Sequence, residues 1–143
     1  MREIRFRGKR ISDNKWVYGY FLVNQFGEYT ICDKTFSAAV IPETVGQYIG
    51  LPDKNNKEIY GGDILKFDIM GDMEKYNPLK ALLVIVEYQN ASWGFRRLYP
   101  ELVVEEDREW CSFWRSDDEE IWDEEYFEII GNQFENPELL KNK

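Results

Sequence analysis

The centre of the chain reads Ile59-Tyr60-Gly61-Gly62-Asp63-Ile64-Leu65-Lys66-Phe67, and this stretch decides the fold class. Two extended segments meet at a glycine pair, and glycine adopts backbone angles that are closed to other residues. The pattern predicts a tight turn followed by a strand, with Asp63 placed to accept hydrogen bonds from the turn amides. By analogy alone, Gly62 to Lys66 is similar to a turn and strand common in small SH3-like barrels.

Further strands are predicted between this turn and the N-terminus. Residues 2–7 alternate, with Ile4 and Phe6 on one face and charged residues on the other, which is the period of a half-buried strand. Aromatic and β-branched residues fill 16–23, a hairpin connection with Gly27 covers 24–28, and 29–32 is extended again. The first forty residues therefore predict an antiparallel meander. A further extended run covers 45–51, and 53–57 is a polar turn whose Asx residues tolerate positive φ.

The C-terminal half is also predicted to consist mainly of strands, with one short helix near its end. Residues 82–86 are the most hydrophobic stretch and predict a central strand, with 93–98 as its partner and 128–131 as a last strand. Gly, Asp, Asn and Pro interrupt 68–80, which indicates an exposed loop. Asn136 followed by Pro137 predicts a one-turn helix with Asn136 as its N-cap.

Together these elements predict a mainly β fold, with a β-rich α+β fold as the alternative. We expect an antiparallel, barrel-like sheet around Trp16, Tyr18, Val84 and Ile85, with short helical pieces near the C-terminus. The 143 residues contain 43% apolar and 16% aromatic side chains, enough to bury a core. No repeat, low-complexity tract or linker divides the chain, so one domain over 1–143 is predicted.

The charged and reactive residues exclude several classes of function. The chain has 18 Lys and Arg against 27 Asp and Glu, a net charge of −9, and no histidine. Without histidine there is no Ser-His-Asp triad, Cys-His pair or His-ligated zinc site. Cys32 and Cys111 have no CxxC spacing, and two cysteines are normal for the reduced cytoplasm; Cys32 is expected to be a buried small side chain. No apolar run approaches 18 residues and no signal peptide is evident, so we expect a cytoplasmic protein without membrane contact.

The sequence predicts no catalytic, metal or cofactor site. The glycine pair lacks the third glycine of a dinucleotide fingerprint and opens a strand instead of a helix. The carboxylates at 117–125 are in principle able to hold Mg²⁺ or Ca²⁺, but their spacing is not that of an EF-hand. Carboxylates bunched in sequence repel each other and usually face water.

The charge is distributed unevenly along the chain. Residues 1–20 carry six Lys and Arg against two acidic residues, a balance of +4, whereas 101–128 carry thirteen carboxylates against two arginines, a balance of −11. These segments are either solvated faces or complementary contact surfaces. The net charge disfavours duplex DNA or RNA as a general partner, although the basic N-terminal patch keeps that option open.

The spacing of Trp110, Phe113 and Trp114 is helical, but the segment is short. The candidate interface residues are Arg5, Arg7, Arg10, Trp110, Trp114 and Trp122.

Three stretches resemble the YopX family of bacteriophage and prophage proteins. The first is 2–9 leading to 16–19, the second runs from Pro42 through Gly50 and Asp53 to Ile64, and the third is 128–140. This chain departs from the family pattern at Asn56, where the family usually has Gly, and at Gly61, where an acidic residue is usual. Residues 68–125 match no family motif. The motif residues that the resemblance supplies are Gly50, Asp53, Glu58, Ile59, Tyr60, Gly62, Asp63, Gly131, Asn132, Asn136 and Pro137.

The resemblance implies a small cytoplasmic protein with a β-rich fold, no established enzymatic activity, no cofactor and a tendency to self-associate. We therefore expect a non-enzymatic phage accessory protein that acts through protein–protein contacts, as a homo-oligomer or on an unidentified host or phage protein. One rival is an acidic DNA mimic that inhibits a host nucleic-acid enzyme. The other is a metal-dependent hydrolase built on carboxylates.

Overall fold

The structure, a computed structural model, describes residues 4–67, 82–89, 92–99, 110–113 and 126–140. The chain forms two compact units, Met1–Gly50 and Leu51–Lys143. The count of one domain over 1–143 stays a prediction.

The first unit is built on an antiparallel sheet. Its strands are β1 (Phe6–Lys9), β2 (Trp16–Val23), β3 (Tyr29–Cys32), β4 (Ser37–Ala39) and β5 (Gly46–Pro52), which continues past Gly50 into the second unit. Hydrogen bonding places them in the order β4-β3-β2-β1-β5, so the predicted meander is confirmed. A 3-10 turn, Pro42–Thr44, precedes β5.

The second unit contains a second antiparallel sheet. Its strands are β7 (Asp63–Phe67), β8 (Leu83–Gln89), β9 (Ser92–Arg97), β10 (Trp110–Ser112) and β11 (Phe127–Asn132), in the order β10-β9-β8-β7-β11. The short strand β6 (Glu58–Tyr60) pairs next to β5. The turn at Gly61 and Gly62 then leads into β7, and Gly62 has the left-handed φ of 91° that this turn requires. A 3-10 turn, Pro137–Leu139, follows β11.

Each unit has its own buried apolar residues. In the first unit these include Ile31, Val40 and Ile49. In the second unit, four rings pack with centroids 4.9 to 5.3 Å apart, a spacing at which aromatic pairs attract each other beyond their area of burial. They belong to Phe67, Phe95, Phe113 and Phe127. The apolar run of β8, including Val84 and Ile85, is buried as predicted for a central strand.

The mainly β fold is confirmed, but the barrel-like sheet is not observed. Neither sheet closes on itself within the described residues. Closure would need the outermost strands to pair along their length, and β4, β6 and β10 have only three residues each. No single sheet holds the four residues expected at its centre, because Trp16 and Tyr18 lie in the first sheet and Val84 and Ile85 in the second. Tyr18 is exposed and Trp16 only half-buried.

Three local expectations need correction. The first strand begins at Phe6; Ile4 is exposed, whereas Arg7 and Gly8 are buried. Val40 packs over Gly8, which has no side chain to keep it away. Cys32 is half-buried, not buried. The helical spacing at 110–114 is also misleading, because pairing with β9 holds the backbone of 110–112 extended. The loop expected at 68–80 lies outside the described residues.

Candidate functional site

One face of the first unit's sheet combines cations with aromatic rings. Cross-strand neighbours in an antiparallel pair share a face, and the register places Arg7 opposite Tyr18 and Lys9 opposite Trp16. Alternate residues of a strand point to the same side, which adds Tyr20 on β2. Gly46 on β5 lies opposite Arg7, so Tyr48, two residues on, shares the face. We call this surface the basic–aromatic face; its members are Arg5, Arg7, Lys9, Trp16, Tyr18, Tyr20 and Tyr48.

The cations of this face lie over its rings. The guanidinium carbon of Arg7 is 4.6 Å from the centroid of the Trp16 ring, and Nζ of Lys9 is 5.4 Å from the same ring. The guanidinium of Arg5 lies 5.5 Å from the Tyr48 ring. A cation–π contact contributes about 0.5–1 kcal/mol when exposed and about 2 kcal/mol when desolvated. These contacts position three long side chains that would otherwise sample many rotamers.

Two tyrosine rings of the face are open to solvent. Tyr18 is 45% exposed and Tyr20 is 66% exposed. The register explains this exposure, because Tyr20 lies opposite Cys32 on β3, and Cys32 lies opposite Ser37 on β4. Neither of these small side chains is large enough to cover a phenol ring. The result is a shallow platform of rings bordered by cations.

The interface residues predicted from the sequence lie in different places. Arg5 and Arg7 belong to the basic–aromatic face, whereas Arg10 forms an exposed ion pair with Asp13, with Nε donating to Oδ1 at 3.0 Å. The hydrogen bond from Arg10 lowers the pKa of Asp13 to about 2, and the same bond raises the pKa of Arg10. Trp110 begins β10, but its side chain lies outside the described residues. Trp114, Trp122 and most of the acidic segment 101–128 also lie outside them.

Five members of the basic–aromatic face were missing from the candidate interface residues predicted from the sequence: Lys9, Trp16, Tyr18, Tyr20 and Tyr48. The signal for four of them is present as two period-two series, Trp16-Tyr18-Tyr20 and Arg5-Arg7-Lys9, whereas Tyr48 belongs to neither series. What the sequence does not contain is the register that brings the two series onto one face.

A second exposed surface is apolar. The hairpin between β2 and β3 presents Phe26, which is 77% exposed, at its turn, and exposed apolar side chains on the adjoining strand ends. The turn itself is ordered by Asn24, whose Oδ1 accepts hydrogen bonds from the backbone N–H of Phe26 at 2.9 Å and of Glu28 at 3.0 Å. Val23 and Tyr29 lie opposite each other in the register and so share a face. We call this surface the hairpin patch; its members are Val23, Phe26 and Tyr29.

The motif residues supplied by the family resemblance have structural roles. Asp53 is 1% exposed, and its Oδ1 accepts hydrogen bonds from the N–H groups of Asn55 and Lys57, each at 2.9 Å. Its Oδ2 accepts a third from Ile129 N–H at 3.0 Å. The carboxylate therefore joins the 53–57 turn to β11. Asn56 has a φ of 62°, as expected for this turn.

The central turn is connected to the C-terminal motif. Asp63 is buried and accepts a hydrogen bond from Tyr60 N–H at 2.8 Å, which confirms its predicted role. The carbonyl of Gly62 accepts a hydrogen bond from Gln133 N–H at 3.0 Å. Two of the stretches that carry the family resemblance thus meet through the backbone. Ile59 and Tyr60 are buried on β6, Glu58 is half-buried, and Gly50 has a φ of 93°.

The C-terminal turn is held by two asparagines. Oδ1 of Asn132 accepts hydrogen bonds from Phe134 N–H at 3.0 Å and Glu135 N–H at 2.9 Å. Oδ1 of Asn136 accepts one from Asn132 N–H at 3.2 Å. The one-turn helix predicted at Pro137 is present as a 3-10 turn, Pro137–Leu139. The predicted N-cap was wrong, because the side-chain oxygen of Asn136 accepts its hydrogen bond from Asn132 N–H instead of capping this turn.

Clusters of metal-ligating side chains and membrane-spanning helices are absent from the described residues. Within this part of the chain, no three Cys, Asp or Glu side chains converge to hold a metal ion. None of the helical segments in the described ranges has the length and apolar character needed to span a bilayer.

The fold and its turns define a class of mainly β proteins made of two antiparallel sheets joined by a Gly-Gly-Asp turn. A family model described as YopX protein matches residues 2–141, so the chain belongs to the YopX family, and the resemblance noted in the sequence is confirmed. Among solved structures, the chain is similar to protein EF1440 from Enterococcus faecalis, with 20% identity and a TM-score of 0.55 over 99% of this chain and 100% of that one. At this identity the likeness concerns the fold alone. No curated protein matches the sequence.

Proposed function

We propose that this protein is a non-enzymatic phage or prophage accessory protein that acts in the host cytoplasm through protein–protein contacts and assembles with copies of itself. The observation that supports the proposal best is the hairpin patch. Phe26 is held at its exposed position by an ordered turn, so its exposure belongs to the folded state and is not a result of fraying. Exposed aromatic side chains of this kind are enriched in protein interfaces.

The hairpin patch has enough apolar character to contribute to association. Burying one large apolar side chain contributes about 1.5–3 kcal/mol, and the patch offers three that are partly or largely exposed. Part of this gain is offset by the loss of translational and rotational freedom on binding. A patch of this size therefore supports association of moderate strength and needs a second contribution.

Charge asymmetry supplies that second contribution. The balance of +4 in residues 1–20 and −11 in residues 101–128 gives two copies complementary segments. Attraction between exposed charges is screened as salt rises, because the Debye length falls from about 10 Å at 0.1 M to about 3 Å at 1 M. Assembly that uses both the hairpin patch and the charged segments should weaken as salt rises, but the apolar contribution should remain.

Light scattering on the purified chain tests the proposal. We expect a molar mass of at least twice the 17.1 kDa of one chain at low salt, with a lower average mass as salt rises. Phe26→Ser should shift the mass toward 17.1 kDa. Ile11→Ser, which changes an exposed apolar residue outside the hairpin patch, is the matched control and should have no such effect. A monomer at both low and high salt would overturn self-assembly, and equal effects of the two variants would overturn the role of the hairpin patch.

The two rival functions rest on carboxylates that lie mainly outside the described residues. A DNA mimic needs the carboxylates of 101–128 at roughly the spacing of phosphates, and a hydrolase needs several of them around a cation. Calorimetry with Mn²⁺ and Mg²⁺ tests the hydrolase directly. Nothing among the described residues favours either function.

A further inference from the structure

The basic–aromatic face has a use that goes beyond assembly. We propose that it binds single-stranded nucleic acid with little sequence preference, the bases stacking on Tyr18 and Tyr20 and the phosphates lying against Lys9 and Arg5. Proteins that bind single strands in this way combine a row of rings on a sheet with neighbouring cations.

The spacing of the exposed rings suits consecutive bases. Tyr18 and Tyr20 are two residues apart on β2, which separates them by about 7 Å at the usual strand rise. Both rings are exposed, and the neighbouring positions on β3 and β4 carry small side chains such as Cys32 and Ser37. A base can therefore reach a ring from the side of β3 without displacing a larger group.

The local charge is favourable although the chain as a whole is acidic. Residues 1–50 carry seven Lys and Arg against five Asp and Glu, a balance of +2, while the rest of the chain has a balance of −11. The cations at Arg5, Arg7 and Lys9 alternate along the chain on one face, and their contacts with Trp16 and Tyr48 hold them beside the exposed tyrosines. Lys9 and Arg5 are half-buried. Arg7 is only 7% exposed, and its guanidinium packs against the Trp16 ring.

The face fits bases better than it fits the carboxylates of an acidic peptide. The groups most exposed on the face are tyrosine rings, which offer stacking surfaces and no positive charge. A duplex fits poorly, because its bases are already stacked inside the helix and the −9 net charge opposes a long polyanion.

Fluorescence anisotropy of a labelled oligothymidylate of about 20 nucleotides, titrated with the full chain, tests the proposal. We expect a Kd in the micromolar range at low salt, with log K falling against log salt by about 0.7 for each phosphate contacted. Tyr20→Ala should weaken binding by about 5- to 150-fold, the range measured for removing one stacked base. Lys9→Gln should weaken binding less and reduce the salt slope by about 0.7.

Tyr88→Ala is the matched control, because Tyr88 is 59% exposed on β8 and lies in the other sheet. It should leave binding unchanged, and circular dichroism checks that each variant is folded. No anisotropy change up to about 100 µM protein would overturn the proposal, since such binding is too weak to matter. Equal losses from Tyr20→Ala and Tyr88→Ala would overturn the assignment to this face. Equally tight binding of a duplex of the same length would overturn base stacking.

Polyglutamate serves as the competitor that represents an acidic protein partner. If it displaces the oligothymidylate at comparable charge concentration, the face binds acidic chains in general and the proposal is wrong. Failure here leaves the proposed function intact, because that function is tested by molar mass and by Phe26, not by Tyr20.

Discussion

Replacing Asp53 by asparagine isolates the contribution of one buried carboxylate that joins two distant parts of the second unit. The carboxylate accepts three backbone hydrogen bonds, from Asn55, Lys57 and Ile129, at 2.9 to 3.0 Å. Asparagine has the same shape but only one acceptor oxygen. If that oxygen keeps the two turn amides, the NH₂ group faces the N–H of Ile129, and one buried donor loses its partner.

The size of the effect follows from that single lost bond. A hydrogen bond to a charged group contributes about 1.5–3 kcal/mol, and a buried donor without a partner costs about 1–3 kcal/mol. These two figures describe the same loss and are not added. We expect the free energy of unfolding to fall by about 1.5–3 kcal/mol, or about 10- to 150-fold in the unfolding equilibrium.

Urea denaturation followed by circular dichroism measures this loss. Asp33→Asn is the matched control, because Asp33 also accepts backbone hydrogen bonds, from Thr35 and Phe36, but in an exposed turn where water replaces them. Amide hydrogen exchange adds a local readout: the protection of Ile129 should fall more than that of Val84. A loss below about 0.5 kcal/mol, an equal loss in Asp33→Asn, or equal changes at the two amides would refute the assignment.

Three further predictions concern local contacts. The pKa of Asp13 is lowered to about 2, so its contact with Arg10 is fully present above the ordinary value of 3.8 and is lost as the pH falls through about 2. Carboxyl NMR titration should show this midpoint, and Arg10→Gln should move it toward the ordinary value. A midpoint near 3.8 in the unchanged protein contradicts the pairing. Gly61→Ala should lower the free energy of unfolding by about 1–3 kcal/mol, because the added Cβ would lie 2.8 Å from ring carbons of Trp93. In a Trp93→Leu background this loss of stability should disappear. An equal loss in both backgrounds argues against this contact. Asn24→Ala should destabilise by about 1 kcal/mol through loss of its turn hydrogen bonds, measured by thermal unfolding, and an unchanged midpoint would contradict that role.

Much of the fold was predictable because its causes lie close together in sequence. Strands β2, β7, β8 and β9 follow from runs of aromatic and β-branched residues, and the turn at Gly61 and Gly62 follows from backbone angles that glycine adopts. Asp63 bonds to an amide only three residues away, so its role was visible from the sequence. The same local reasoning failed at 110–112, where pairing with β9 overrides a helical spacing.

Only part of the candidate site was predictable, because its geometry depends on contacts between residues that are far apart in the sequence. The sequence by itself determined where the strands and turns lie, the charge of each segment, and the two alternating series of cations and rings. A period of two identifies the two faces of a strand, but it does not say which face is covered or which strand lies beside it. Tertiary structure decided those points: it buried Arg7 against Trp16, left Tyr20 open beside Cys32, and brought Asp53 to Ile129 across 76 residues. Register and burial depend on partners far away in the chain, and those partners are brought together only when the sheets form.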